Sequence, residues 1–257
     1  MFEGKGRPLT EAGVTQAGAT LNVGLPALWA VMAVETKGCG FLPDRRPLIL
    51  FERHVFHRLT QGRFAKEAPD LSNPVWGGYG RAGLHQYERL ERALELDRRA
   101  AMESCSWGLG QVMGFNSARV GFADVEAMVS AMLDSEDKQF QAMVGFIKAF
   151  NLSHYLAQGD WTNFALHYNG PDFQKNKYDT KLAQAHARYI TGPLPSLRVR
   201  AAQIYLGYLG FNPGGVDGWY GQGTQRAVTR FQKSQKLPQS GAPDDATFAA
   251  LEKEAMS

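Results

Sequence analysis

Apolar residues recur through the first three quarters of the chain at intervals of three and four, the repeat of one face of an α-helix. Leu25, Leu28, Trp29 and Met32 share one such face, with Pro26 in the first turn and Gly38 placed as the stop. Leu84, Tyr87, Leu90 and Leu94 form a second stripe, and Glu88, Arg89, Glu91 and Arg92 turn mostly to solvent. Val125, Met128, Val129, Met132, Phe140, Met143, Val144 and Ile147 define a third, long helical stretch. Trp161, Phe164 and Tyr168 define a fourth, with Asp160 as its N-cap, and Tyr178, Leu182, Ala185 and Tyr189 continue the pattern. Such stripes read as core packing. Residues 48–51 are the best candidate for a short strand. Residues 65–83, rich in Pro, Gly and Asn, read as a long loop of the kind that often lines a binding cleft.

The clearest punctuation is Thr191-Gly-Pro-Leu-Pro-Ser196, in which two prolines and a glycine interrupt helix. It divides the chain into residues 1–190, a linker at 191–196, and residues 197–257. The last part alternates short helical patterns with turns. Val199, Ala202, Leu206 and Leu209 form one face, and residues 210–221 are nearly all turn chemistry. Thr224 is placed as the cap of a helix carrying Ala227, Val228 and Phe231. Asp244 and Asp245 start a final helix carrying Phe248 and Leu251. The expected class is mainly α with a small β element, followed by a C-terminal three-helix module.

Composition narrows the function. The chain has 257 residues, 44% hydrophobic and 21% charged, which is the balance of a folded protein. A net charge of +3 is too small to dominate binding to a polyanion, so no nucleic-acid partner is expected. Two cysteines, Cys39 and Cys105, exclude a disulfide scaffold and a four-thiolate zinc site, and two reduced thiols are expected. The longest apolar run, residues 27–34, is far short of a membrane span, so no stable membrane insertion is expected. The first 24 residues show no secretion signal, and a protein made and held in a cytoplasm is expected.

Phosphate-loop, zinc-protease and serine-hydrolase signatures are missing. His54 and His57 have a spacing open to a metal, but a third ligand is not evident, so no metal is expected. Three segments stand out instead. They are Ala33-Val-Glu-Thr-Lys-Gly-Cys-Gly-Phe41, Ser106-Trp-Gly-Leu-Gly-Gln-Val-Met113 and His167-Tyr-Asn-Gly-Pro171. Glu35 ends an apolar helix, on or near its buried face. Burial disfavours the ionised carboxylate, and the negative end of the helix dipole pushes the same way. A carboxyl still protonated near neutral pH is what a general acid requires. The other reading is an ion pair of Glu35 with Lys37 or an arginine.

These segments resemble the motif set of the lysozyme-like superfamily, in which an acid ends a helix, a Gly-Leu-x-Gln-like turn follows, and a Tyr-Asn motif closes the site. More closely, Glu35 through Phe56, with Leu48-Ile-Leu-Phe-Glu-Arg-His54, Gly77-Gly-Tyr-Gly80, Ser106-Trp-Gly-Leu109 and Tyr168-Asn-Gly170, is similar to the phage endolysin N-acetylmuramidase family. The resemblance spans about residues 20–190. It implies a lysozyme-like helical catalytic domain that cuts the β-1,4 bond between N-acetylmuramic acid and N-acetylglucosamine in peptidoglycan glycan strands. Glu35 matches the catalytic acid. Gln111 would help shape the sugar site, although Gly110 departs from the usual residue, and Tyr168 and Asn169 match the Tyr-Asn motif.

The second carboxylate is open between Asp44 and Glu52. Inversion needs a base roughly 6.5–9.5 Å from the acid, and retention by a carboxylate nucleophile needs about 5–5.5 Å. Asp44 has the acid-to-aspartate spacing of phage-type lysozymes, but Leu50 stands where those enzymes carry a threonine. Glu52 is the other candidate, as a residue expected on a strand facing the cleft. Either could instead pair with Arg45, Arg46 or Arg53. If neither serves, the substrate's own 6-hydroxyl can attack, as in a lytic transglycosylase. A non-catalytic wall-binding virion protein is the third reading.

Residues 197–257 resemble the peptidoglycan-binding domain that accompanies many wall hydrolases. The resemblance rests on Gln203, Leu206, Leu209-Gly-Phe211, Asp217-Gly-Trp-Tyr-Gly221, Ala227-Val228 and Phe231-Gln232. Trp219 and Tyr220 would stack on sugars or fill a core. The family resemblance implies no cofactor, a monomer, and release from a host cytoplasm to the wall once another factor opens the membrane.

Overall fold

Helix starts are fixed by polar side chains that satisfy amides the helix itself leaves open. Thr10, Asp97, Asp124, Ser135, Asp160, Ser196 and Asp244 each accept a backbone N–H in the first turn of the helix that follows. The computed structural model describes every residue except Met1 and Lys37. Up to residue 103 the elements are α1 (Glu11–Leu21), α2 (Leu25–Glu35), β1 (Ile49–Phe51), α3 (Arg53–Leu59), α4 (Leu84–Leu96) and α5 (Arg98–Glu103). Then come β2 (Cys105–Trp107), β3 (Val112–Met113), α6 (Val125–Asp134), α7 (Glu136–Ala149), α8 (Ser153–Gln158), α9 (Trp161–Asn169) and α10 (Tyr178–Thr191). The final three helices are α11 (Leu197–Tyr208), α12 (Gln222–Ser234) and α13 (Asp245–Met256). The class is the expected one: mainly helical, with a small sheet and a three-helix C-terminal part.

The chain forms two compact units. One comprises Met1–Gly6, Gly40–Leu42 and Arg46–Asn151, and the other Arg7–Cys39, Pro43–Arg45 and Leu152–Ser257. In the first, β1, β2 and β3 form an antiparallel sheet in that order, with Ile49 opposite Trp107 and Phe51 opposite Cys105. Trp107 is fully buried, and its indole N–H donates to Met102 O at 3.0 Å, so the large ring leaves no polar atom unpaired. Phe51, Phe56, Tyr87, Leu90, Met102 and Met128 pack around it. The long stretch expected over 125–147 is two helices. Ser135 leaves helical backbone (φ −161°, ψ 158°) and its hydroxyl caps α7, so a polar cap overrides an apolar repeat that runs on through the break.

In the second unit α2 is apolar nearly all round, and residues 27–32 are buried, as expected of a helix covered on more than one side. It packs against α1 and α10. It ends at Glu35 rather than at Gly38. The Thr36 backbone turns extended and its hydroxyl donates to Met32 O at 2.7 Å, closing the last turn three residues early. Helices α11, α12 and α13 enclose their own core of Ala202, Leu206, Val228, Phe231 and Leu251. Two buried glutamines hold the loops between these helices. Gln203 Oε1 accepts from Asp217 N and Gly218 N while its Nε2 donates to Thr224 Oγ1, and Gln232 does the same for Gly241 N and Thr247 Oγ1. Thr224 is therefore not the expected cap. Gly221 occupies that position, and the Thr224 hydroxyl is turned inward to Gln203. Among the described residues no single helix is long and apolar enough to cross a membrane.

Candidate active site

Glu35 is the last residue of α2, and one of its carboxyl oxygens is buried. Desolvation lifts its pKa from the ordinary 4.5 to about 7, against smaller opposing effects of the Asn169 amide and the charge of Lys181. Asn169 Nδ2 donates to Glu35 Oε2 at 2.7 Å. The other oxygen, Oε1, is buried and has no hydrogen-bond partner, and neither has Asn169 Oδ1. One carboxyl oxygen is thus fixed by a donor, which leaves the bare oxygen as the place for the proton. Asn169 ends α9, where Gly170 (φ +86°) turns the chain away. Tyr168, beside it, is held above the ordinary phenol range by burial and by Glu35, so its hydroxyl stays neutral. Tyr178 is raised for the same two reasons. The ion pair of Glu35 with Lys37 lies outside the described residues.

The segment after Glu35 is held from the C-terminal helices of the same unit. Arg200, only 3% exposed, donates through Nη2 to Gly38 O. Gly38 has φ +91°, and a Cβ there would come within 2.7 Å of Val216 O. A cavity of about 310 Å³ lies alongside, lined by Trp29, Met32, Tyr189, Arg200 and Trp219. Trp219 lies under the Arg188 guanidinium, 4.8 Å from its ring centroid, so its ring is engaged within the protein. Tyr220 is 46% exposed, with its hydroxyl donating to Gly241 O. Of the two expected sugar-stacking residues, Tyr220 has the more open ring.

Glu52 has a different setting in the other unit. It follows β1 and precedes α3 without capping it. Burial raises its pKa, while a hydrogen bond from the Tyr79 hydroxyl and the charge of Arg89 oppose the rise. Tyr79 is pushed up to about 12 by burial and by the same carboxyl. His54 Nδ1 lies 3.2 Å from Glu52 Oε2, but not along a hydrogen-bonding direction. Burial and two neighbouring arginines lower the His54 pKa, so this is a neutral imidazole beside a carboxyl rather than an ion pair. One buried residue ties this region together. Gln86 Oε1 accepts from Phe51 N, next to Glu52, and Nε2 donates to Tyr79 O and Arg81 O.

Asp44 sits exposed in a short segment whose Arg45 reaches Ala255 O. Gln111 has both ends of its amide engaged. It accepts from Ser106 Oγ at 2.9 Å and donates to Leu48 O and Gly108 O, closing the turn between β2 and β3 from a left-handed backbone (φ +48°). Its visible work is to shape that turn. Among the described residues no three His, Cys, Asp or Glu side chains gather to hold a metal, and His57 Nδ1 is 3.2 Å from Ser72 Oγ.

Sequence reasoning missed Tyr178 and Lys181 beside Glu35, and Tyr79, Gln86 and Arg89 around Glu52. Tyr79 had a signal, because it stands inside Gly77-Gly-Tyr-Gly80. Gln86 had none, being one polar residue on an amphipathic helix.

Comparison with known proteins bears on this geometry. A family model described as N-acetylmuramidase matches residues 24–190. A second, described as a peptidoglycan binding domain, matches residues 196–251. The crystal structure of an endolysin from Burkholderia AP3 phage is similar, with 42% identity and a TM-score of 0.69, over 72% of this chain and 72% of that chain. No curated protein matches.

Proposed function

The chain belongs to the N-acetylmuramidase family, enzymes that hydrolyse the glycan of peptidoglycan, and from that premise we propose that it cuts the β-1,4 bond between N-acetylmuramic acid and N-acetylglucosamine with Glu35 as general acid. The family membership, with a peptidoglycan-binding domain beside it, sets aside a purely structural wall-binding role.

The observation that carries the assignment is the state of Glu35. Its carboxyl titrates at about 7, Oε2 is occupied by Asn169, and the buried Oε1 is bare. Near neutral pH about half of such groups hold a proton, and that proton sits on the atom with no competing partner. It passes to the glycosidic oxygen as the bond to the anomeric carbon breaks. Matching a catalytic pKa to the working pH in this way maximises general acid catalysis. Asn169 Oδ1, an unmatched buried acceptor, is suited to the N–H of a substrate acetamido group.

For the second carboxylate we assign Glu52 over Asp44. Glu52 is half-buried, with the Tyr79 hydroxyl and the charge of Arg89 offsetting part of the rise that burial causes, whereas Asp44 is exposed. Hydrolysis and transglycosylation differ in what attacks the sugar. Mass spectrometry of digested sacculi separates them: reducing muramic ends are expected, and 1,6-anhydro ends would replace the hydrolytic reading with a transglycosylase.

A further inference from the structure

We propose that Trp76 is a sugar-stacking residue, whose exposed indole takes the apolar face of an N-acetylhexosamine ring of the glycan strand beside Glu52. The proposal rests on the glycan-cutting role above and adds to it a contact that fixes where the strand lies. Trp76 is 71% exposed and its neighbour Val75 is 63% exposed. An indole left in water contributes nothing to folding from its largest apolar surface.

The loop that presents it is built rather than slack. Arg53 Nε donates to Val75 O at 3.2 Å, and Val75 N donates to Asn73 Oδ1 at 2.9 Å. Arg89 Nη1 and Gln86 Nε2 both donate to Tyr79 O, at 2.8 and 2.7 Å. Gly77, Gly78 and Gly80 all have positive φ, and a Cβ on Gly78 would overlap the Arg53 guanidinium. Three buried or half-buried side chains therefore fix a backbone path that only this glycine pattern follows, and the path leaves the tryptophan outside. The Trp76 ring meets the Tyr79 ring edge to face with centroids 5.8 Å apart. Tyr79 in turn donates its hydroxyl to Glu52. An unbroken chain of contacts thus runs from the open indole to a carboxyl.

The occupant follows from size and chemistry. Two exposed apolar side chains fall well short of a stable protein interface, which buries roughly 1,200–2,000 Å². They match one pyranose ring, whose axial C–H bonds form a small apolar face with polarised hydrogens suited to a π cloud. The hydroxyl and acetamido groups at the ring's rim stay in water.

The test uses the full chain in an inactive background, so that it does not depend on turnover. Binding of soluble N-acetylglucosamine hexamer is measured by calorimetry for Glu35→Gln and for Glu35→Gln combined with Trp76→Ala or Trp76→Phe. The alanine change is expected to weaken binding about tenfold, and the phenylalanine change to restore most of it. In the active protein, Trp76→Ala is expected to raise KM on soluble glycan strands by more than it lowers kcat. Hexamer binding that is equal with and without Trp76 overturns the proposal. So does a Trp76→Ala effect seen only in self-association or in binding to anionic vesicles. A Glu35→Gln protein that still lyses walls would defeat the acid assignment while leaving the binding comparison readable.

Discussion

Glu35 and Glu52 are both held above the ordinary glutamate range, and in both burial is the largest cause. Their polar partners differ in kind more than in number. Glu35 has one amide donor on one oxygen and nothing on the other, which is buried. Glu52 has a phenol donating to it, while its Oε2 is likewise buried without a hydrogen-bond partner, with a neutral imidazole against it, and Arg89 supplies the nearby charge that Lys181 supplies at Glu35. In both, one donor and one nearby cation oppose the rise that burial causes, and one buried oxygen is bare; the balance leaves Glu35 at about 7. The difference teaches that burial alone does not assign a role. Glycosidases hold one carboxyl as acid and another as base or nucleophile through burial and polar partners together.

The comparison breaks first at Glu35. Glu35→Gln is expected to lower clearing of permeabilised cells by at least about 10²–10⁴-fold with an unchanged circular dichroism spectrum, the range of a lost general acid. Near-normal clearing would remove Glu35 from the mechanism. Glu52→Gln is expected to cost about tenfold to a hundredfold in the same assay, and Asp44→Asn less than about twofold, if environment rather than spacing selects the second carboxylate. The reverse order would hand the role to Asp44.

Subtler is the pH profile. Activity is expected to fall as pH rises through about 7, where Glu35 loses its proton. The Asn169 hydrogen bond stabilises the ionised form, so Asn169→Ala should move that falling limb to higher pH even as it slows the reaction. Lys181→Ala should move it the same way by less, and a shift to lower pH in either variant would contradict the described environment.

Smallest is a stability effect with a defined sign. The folded pKa of Glu35 lies above its ordinary 4.5, so the native state binds this proton more tightly than the unfolded chain. That preference is present in full below pH 4.5 and is lost as pH rises through about 7. Above that range the ionised group costs as much as ~3 kcal/mol. Glu35→Gln should therefore melt higher than the parent protein at pH 8, with the gap closing near pH 4. Equal melting temperatures at both values would mean that the carboxyl is solvated.

Much of this molecule is readable from local pattern. The stripes that place α2, α4, α9 and α10, the Asp160 and Asp244 caps, and the strand before Glu52 all depend on residues within a turn or two of one another. The apolar face that ends in Glu35 also predicted the direction of its pKa. Where a polar side chain competes locally with a periodic pattern, the pattern misleads. Thr36 stops α2 before Gly38, and Ser135 divides a stretch that reads as one helix.

Sequence alone therefore determined the helical class and the match to an N-acetylmuramidase followed by a peptidoglycan-binding domain. Tertiary structure decided the rest. Asn169 lies 134 residues from the carboxyl it bonds, Gln86 lies 35 from the strand it anchors, and the loop of the exposed Trp76 is held by Arg53, Gln86 and Arg89. The physical reason is range. Helix periodicity and capping are set by neighbours along the chain, whereas desolvation and unmatched hydrogen-bonding atoms exist only after distant segments have closed over them.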